Sequence, residues 1–433
     1  MIWIYRLFFL PGLLVSLPRY WWQTRRRGSI KERLGQRLGW VPRPKAKSPG
    51  KVRVWIQAVS VGELQAIHPL LESLHKRRHV EVILTTTTVT GYQLAREKYT
   101  RLTEQISYFP IDWVSFSRRA WNRIQPDRCI LMEGELWPEH LHQATKRGIP
   151  VLLINARMSD RAFHYHTRLK VLAKPVFKSL TKVLASSEQS KERYAGLGVD
   201  PAAIAITGNM KCDFSLPRTL SDGEAGQLLR ELGFFRDDPS RGKPFVLCGA
   251  STWPGEEEAL LNIFLSLKKW RSDLRLLIVP RHMERREEIR KQLRNQPVRF
   301  HFRTDGLPEE PVEVHIGDTT GELVKFLQIS HIVFVGRSLP PHTQGQTPIE
   351  AGLLQKPILF GPGMSNFKAI GQSLIDHGVA ERVEHPADLE QKLRDWMAAP
   401  DLLREKSNNA SGWMAAHRGA NARTLQGLEE YLR

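Results

Sequence analysis

The sequence predicts an α/β protein made of two Rossmann-like, doubly wound parallel-sheet domains facing a cleft. Three observations predict it. From Val52 onward, short apolar runs rich in β-branched residues alternate with helical stretches, the β-α-β grammar of a parallel sheet. That grammar breaks at a polar stretch, residues 215–243, and then starts again. In both halves glycine and polar residues cluster just after the strand runs, where open α/β sheets bind their ligands.

The elements follow in chain order. Residues 1–27 open with "MIWIYRLFFLPGLLVSLPRYWW", apolar and aromatic but interrupted by Arg6, Pro11, Pro18 and Arg19. A spanning helix needs roughly 20 mainly apolar residues, and Tyr20-Trp21-Trp22 is a poor cleavage site for a signal peptide. Trp21 and Trp22 suit a headgroup belt, and Arg25, Arg26 and Arg27 suit the cytoplasmic side of an anionic membrane. The expectation is an uncleaved membrane anchor, either one short span or an interfacial helix; the alternative is a buried apolar helix. Residues 28–51 read as a basic, proline-rich linker. Residues 52–214 form the first domain, with strands "VRVWIQA", "VEVILTTTT", "RCILME", "PVLLINA", "KVLASS" and "AIAITGN". Residues 215–243 read as an interdomain connection. Residues 244–433 form the second domain, with strands "PFVLCGAS", "LRLLIVP", "VRFHF", "VEVHIG", "HIVFVG" and "KPILFG" followed by terminal helices.

Composition narrows the function. A chain of 433 residues has room for two full cores, and its net charge is +19 with eleven basic residues against one acid, Glu32, in residues 1–50. A basic protein seeks nucleic acid, anionic lipid or an anionic substrate. Nucleic-acid binding would interleave the basic residues with aromatic stacking platforms; here they concentrate beside the apolar segment instead. The three cysteines, Cys129, Cys212 and Cys248, are widely spaced, which argues against a disulfide framework and a zinc site and fits a reducing compartment.

In the first half, "SVGE" places Ser60, Gly62 and Glu63 where the first strand gives way to a helix. Taken alone, Glu63 reads first as a first-turn residue favoured by the helix dipole and only second as an active-site carboxylate. Ser60 and Gly62 lie beside the free N–H groups that suit an anionic ligand. "EGELWPE" sets Glu133 and Glu135 after the third strand run, where two acids repel one another unless a cation or a shared proton relieves them. "INARMSDR" adds Asn155, Arg157 and Arg161, donors for an anionic acceptor, with Arg157 equally able to pair with a sheet-end acid.

In the second half, Gly249, Ser251 and Thr252 precede a helix as a candidate anion cradle, without the GK[ST] of a Walker loop. Arg281 and His282 end the next strand, where a guanidinium can clamp a phosphate. "GDTTGEL" puts Thr320, Gly321 and Glu322 at a helix start, which by itself reads as ordinary N-capping. The long loop "VGRSLPPHTQGQTPIEAG" carries Ser338, Gln346 and Thr347 for a phosphate and Glu350 for sugar hydroxyls.

The motifs SVGE, TTTTxTG, ExELWP, NARxS, TGNxK, PRH, DTxGEL, VGxSL and PIE…P.LFGP occur here in one order, from Ser60 to Pro362. In that order the chain resembles the bacterial Kdo transferases of lipopolysaccharide assembly, over nearly its whole length. The resemblance implies a GT-B glycosyltransferase on the cytoplasmic face of the bacterial inner membrane. It implies transfer of 3-deoxy-D-manno-octulosonic acid (Kdo) from CMP-Kdo to a lipid A precursor (lipid IVA), with inversion, without a cofactor and without a metal. Glu63 then takes the position of the general base, with Glu133 beside it and Glu135 less firmly placed. CMP-Kdo falls to Ser251, Thr252, Arg281, His282, Thr320, Gly321, Glu322, Ser338, Gln346, Thr347 and Glu350. Ser60, Gly62, Arg157 and Arg161 fall to the anionic acceptor. A neighbouring Glu133 is expected to raise the pKa of Glu63. Two departures stand out: the family's GGHNP loop is "QGQTP" here, and its GGS is "GRS", with Arg337 supplying positive charge. The competing expectation is another GT-B lipid glycosyltransferase that uses a different nucleotide sugar.

Overall fold

The computed structural model describes residues 2–9, 11–12, 33–213, 218–234 and 243–433. The chain divides into two compact units: residues 1–214 with 417–433, and residues 215–416.

The first unit is built on a seven-stranded sheet. Its strands are β1 (Val52–Gln57), β2 (Val80–Thr86), β3 (Gln105–Tyr108), β4 (Arg128–Met132), β5 (Val151–Ala156), β6 (Lys182–Ala185) and β7 (Ile204–Ile206), in the order β3-β2-β1-β4-β5-β6-β7. All the pairings are parallel. Because side chains alternate along a strand, one sheet supplies two cores. Val54, Ile56, Leu84, Ile130 and Ile154 pack on one face, and Trp55, Ile83, Leu131 and Leu153 on the other. Strands buried on both faces must be apolar throughout, which is why these runs were legible in the sequence. The buried indole of Trp55 donates its N–H to the Thr85 hydroxyl at 2.9 Å, so its one polar atom is satisfied.

The second unit has its own seven-stranded sheet. Its strands are β8 (Phe245–Thr252), β9 (Leu274–Pro280), β10 (Phe300–Phe302), β11 (Val314–Ile316), β12 (Ile332–Val335), β13 (Ile358–Phe360) and β14 (Ala380–Arg382), in the order β10-β11-β9-β8-β12-β13-β14. These pairings are also parallel. Leu247, Leu276, Ile278 and Phe334 centre its core.

Four features differ from the sequence reading. Strands β3 and β14 were not foreseen: their segments, QISY and AER, hold too few apolar residues to make a run. Part of the expected interdomain connection is a helix of the second unit, Asp222–Glu231. It is closed by a capping box between Ser221 and Glu224 and buries Leu228 and Leu229. The terminal helix Ala420–Leu428 belongs to the first unit instead, where the amides of Gly419 and Asn421 donate to Asp213 at 2.7 and 2.6 Å. The described part of the expected linker is packed. Gln36 accepts the Tyr108 amide at 2.9 Å, and Arg37 lies over the Tyr108 ring and donates to the Thr87 carbonyl.

Most of the expected anchor, residues 13–27, lies outside the described residues. Among the described residues no helix is long and apolar enough to cross a membrane. Residues 2–9 are helical and held to the first unit by buried acids. Tyr5 donates to Asp112 at 2.6 Å, and Arg6 forks onto Glu139 at 2.8 and 2.9 Å.

Candidate functional site

In the first unit the break in strand order falls between β1 and β4, and the two principal acids follow those two strands. After β1 the chain turns into the helix Val61–Ala66, and Glu63 sits in its first turn. Its carboxylate folds back onto the approach to its own helix. It accepts the Val59 amide at 2.8 Å and the Ser60 hydroxyl at 3.2 Å. Glu63 is 7% exposed. Burial first, and the charge of Glu133 second, push its pKa up to about 7, against the opposing pull of the Val59 amide and Lys211. The expected shift is present, with desolvation rather than Glu133 as its leading cause.

Glu133 follows β4 with φ +60°, a backbone region a non-glycine residue rarely occupies. Its amide is anchored to the Ile154 carbonyl at 3.0 Å. One carboxylate oxygen meets Arg157 at 2.6 Å and the other meets Lys211 at 2.7 Å. Burial alone would raise the pKa of Glu133, but the two cations hold it below the ordinary carboxylate range. Glu135 accepts the Trp137 indole N–H at 3.0 Å, and its pKa is raised, chiefly by burial. Two neighbouring acids are thus driven apart: Glu133 stays charged and Glu63 titrates near neutrality, the division of labour that makes one of them a usable base.

Lys211 is the functional residue the sequence reading passed over, although it closes the quoted TGNxK motif. Asn155, read as a ligand donor, explains how Lys211 is placed. It is fully buried with φ +48°, and its side-chain oxygen accepts the Met210 amide at 3.0 Å, which fixes the turn carrying Lys211. Gly62 is exposed with open space where a side chain would go, and Arg161 is exposed on the helix Asp160–Arg168.

Beside these acids lies an apolar groove of about 420 Å³, lined by Phe8 and Phe9 of the N-terminal helix, by Gly134 and Leu136, and by Leu172 and Phe177. The N-terminal helix and the helix Lys170–Lys178, which both supply lining residues, also leave large apolar side chains in solvent: Trp3 is 74% exposed and Val171 88%. Arg161, Arg168, Lys170, Lys174 and Lys178 are exposed on the helices Asp160–Arg168 and Lys170–Lys178 around the groove.

In the second unit the break in strand order falls between β8 and β12, and the loops after those strands are locked together. Gly336 is required there, since a Cβ would meet the Ser251 carbonyl and the Thr252 Cα at 2.6 Å. Glu256, unremarked in the sequence, is 2% exposed and accepts four backbone amides: Trp253 (2.9 Å), Arg337 (2.6 Å), Ser338 (2.8 Å) and Leu339 (3.1 Å). The acid run after Gly255 was its only signal. Several expected donor ligands are spent on this framework. The Thr252 hydroxyl donates to buried Glu257 at 2.9 Å, and Glu257 also pairs with Arg285 at 2.7 Å. The Ser338 hydroxyl donates to the Val335 carbonyl at 2.6 Å and accepts the Gly361 amide at 2.8 Å. Glu322 pairs with Arg303 at 3.2 Å and accepts the Thr319 hydroxyl, and Thr347 donates to Glu350 at 2.9 Å.

What remains outward-facing is mainly cationic. Arg281 is exposed at the end of β9, with its amide on the Thr252 carbonyl at 3.1 Å. His282 meets the edge of Trp253 at 5.1 Å. Ser251, with φ +55°, and Gln346 are half-buried at the same loops. The Gln346 amide donates to the Gly336 carbonyl at 3.1 Å. Thr320 and Gly321 are exposed, and the Thr320 hydroxyl lies 3.4 Å from the Met283 sulfur.

Comparison with known proteins places this geometry. A family model described as 3-deoxy-D-manno-octulosonic-acid transferase (kdotransferase) matches residues 32–214. The chain is 33% identical over 429 residues to the 3-deoxy-D-manno-octulosonic acid transferase of Haemophilus influenzae, a match covering 98% of this chain and 95% of that protein. It is 31% identical over 398 residues to the protein of the same name from Bordetella pertussis, covering 90% and 89%. In fold it is similar to the UDP-GlcNAc 2-epimerase of Neisseria meningitidis, with a TM-score of 0.60 at 15% identity over 88% of this chain and 100% of that one. Glu63 and Glu133 therefore belong to a glycosyltransferase, and the chain is a member of the 3-deoxy-D-manno-octulosonic acid transferase family.

Proposed function

We propose that this chain transfers Kdo from CMP-Kdo to a hydroxyl of an anionic lipid A precursor, lipid IVA, with inversion at the anomeric carbon and Glu63 as general base. The observation that carries the reading is the Glu63 carboxylate: buried, with a pKa near 7, beside an acid that two cations keep charged. A base works best when its pKa lies near the working pH. The acceptor hydroxyl gives its proton to Glu63 as its oxygen bonds to the anomeric carbon. The bond from that carbon to the CMP phosphate breaks, and the electron pair leaves with CMP, whose phosphate gains a negative charge. In this reading Arg281 offsets that charge, and the proposed chemistry needs neither a cofactor nor a metal. Arg157 and Lys211 hold Glu133 ionised and so set the field in which Glu63 titrates.

The apolar groove supports a lipid acceptor. Phe8, Leu172 and Phe177 offer an acyl chain a dry wall, and Gly134 and Leu136 carry that wall to the acids that flank them in sequence. The exposed Trp3, Leu7 and Phe8 with the surrounding lysines and arginines suit attachment to the cytoplasmic face of an anionic inner membrane by a helix lying in the interface. Arg161 belongs to that basic rim, beside the acceptor's phosphates in this reading.

The test is in vitro transfer from CMP-Kdo, with uridine-linked sugars in parallel, to a tetraacylated lipid A precursor, with products resolved by mass. Glu63→Gln should abolish transfer and leave CMP binding intact. Near-normal turnover in that variant removes the base role, and transfer only from uridine-linked sugars removes the donor assignment. For the membrane, Leu7→Ser with Phe8→Ser should lower co-sedimentation with phosphatidylglycerol vesicles several-fold; unchanged binding removes the interfacial helix.

A further inference from the structure

The loop after β12 carries an arginine where its backbone favours glycine. Arg337 has φ +60°, a left-handed conformation that disfavours an L-residue with a Cβ and that glycine adopts freely. Strain of this kind persists where the surroundings hold it, and here they do. The Arg337 amide is fixed at 2.6 Å by Glu256, and its carbonyl accepts the Gly345 amide at 2.9 Å. Its guanidinium lies over the Trp253 ring, 4.1 Å from the centroid. His282 and His342 meet the edges of the same ring at 5.1 and 5.8 Å.

This arrangement has two chemical consequences. Glu256 already occupies the amides of Arg337, Ser338 and Leu339, so an incoming anion finds no free backbone nest there. The recognition falls to side chains. Arg281 is tied by its amide to Thr252, next to the residue on which Arg337 stacks. Among the described residues neither guanidinium has an acidic partner, and the two are close enough that the pKa of Arg337 is lowered by burial and then by the charge of Arg281. The acids that follow β8, Glu256 and Glu257, are buried and spent on backbone amides, Thr252 and Arg285, and Glu284, three residues after Arg281, lies 4.0 Å from His282. Two neighbouring cations with no counterion are relieved by an anion that both can reach.

We propose that Arg337 is a specificity-determining residue, pre-set by its stack on Trp253 to hold, together with Arg281, the anionic part of the sugar-nucleotide donor. The inference rests on the reading of the second unit as donor-binding. A donor of this class offers two anions, a nucleotide phosphate and a sugar carboxylate, and both share the oxyanion chemistry that a guanidinium recognises.

The experiment compares Arg337→Gly, Arg337→Lys and Arg281→Ala in the full chain. It measures KM and kcat for CMP-Kdo, CMP affinity by calorimetry and the thermal midpoint. Glycine suits φ +60°, so Arg337→Gly should fold at least as stably as the parent. Its donor KM should nevertheless rise about tenfold or more with kcat within about threefold, the scale of one charge-assisted contact. Arg337→Lys, which keeps the charge without the planar stack, should fall between. A matching loss of CMP affinity in Arg337→Gly assigns the phosphate; unchanged CMP affinity with raised donor KM assigns the carboxylate. A donor KM within twofold of the parent overturns the proposal. If Arg281→Ala raises KM in that case, only the role of Arg337 falls; if Arg281→Ala is also silent, the donor reading of the second unit falls with it.

Discussion

In the first unit the strand order breaks between β1 and β4, and in the second between β8 and β12. Both breaks leave a crevice at the carboxyl ends of the strands, so each unit has its principal side chains at the same topological position. The two positions are filled oppositely. The first unit leaves an acid, Glu63, uncommitted to any ion pair among the described residues, and its cations Arg157 and Lys211 are consumed in holding Glu133. The second consumes its acids, Glu256 and Glu257, and leaves Arg281 and Arg337 uncommitted. In the first unit two half-buried cations are spent on Glu133, and in the second two buried acids are spent on the loops; under the proposed function the first unit then offers a base for a hydroxyl and the second a clamp for an oxyanion.

The strongest way to break that comparison is to neutralise the uncommitted acid. Glu63→Gln should lower kcat about a thousandfold, within the range of general acid–base catalysis. Stability should move the other way and depend on pH. The folded pKa of Glu63, about 7, lies above its ordinary 4.5. Its contribution to stability is therefore full below about pH 4.5 and lost as pH rises through 7. Glu63→Gln should be more stable than the parent at pH 8 by on the order of 2–3 kcal/mol, with no gain at pH 4.5, as read by chemical denaturation at both. Loss of activity without that gain would mean the carboxylate is ionised at little cost.

On the cationic side the expected effects are smaller. Arg281→Ala should raise donor KM tenfold to a hundredfold and flatten its dependence on salt, because a charge-assisted contact is removed. Gly336→Ala should act through geometry. Its Cβ meets backbone atoms at 2.6 Å, so the loops after β8 and β12 must separate. A stability loss of about 1–3 kcal/mol and a several-fold rise in donor KM should appear together. If stability falls and KM does not, the loop lock serves the fold alone.

Much of this was legible in the sequence for a physical reason. Doubly buried strands must be continuous apolar runs, so those strands stood out, while β3 (QISY) and β14 (AER), which hold few apolar residues, did not. The positions of Glu63, Glu133 and Arg281 just after strands were legible because a polar residue that closes an apolar run marks a strand end. What was not legible was which groups are already spent. Ser338 and Thr252 look like ligands in sequence, but their hydroxyls bond Val335 and Glu257. Lys211 looks like an ordinary turn residue, although it meets an acid 78 positions earlier in the chain. Satisfaction of a polar group is a property of packing, and local pattern does not record it.

The finest test of the comparison is Lys211→Met, because it alters the field at Glu63 without touching Glu63. Lys211 pulls the pKa of Glu63 down directly, and it also helps keep Glu133 charged, which pushes that pKa up. Arg157 remains on Glu133 at 2.6 Å, so Glu133 should stay ionised near neutrality and the direct effect should dominate. The acid limb of the kcat/KM profile should then move to higher pH by about half a unit to one unit. A shift to lower pH would mean that Glu133 has become protonated and that Arg157 alone does not hold it. An unmoved limb would mean that the group titrating in the profile is not Glu63, and the division of labour between the two acids would have to be abandoned.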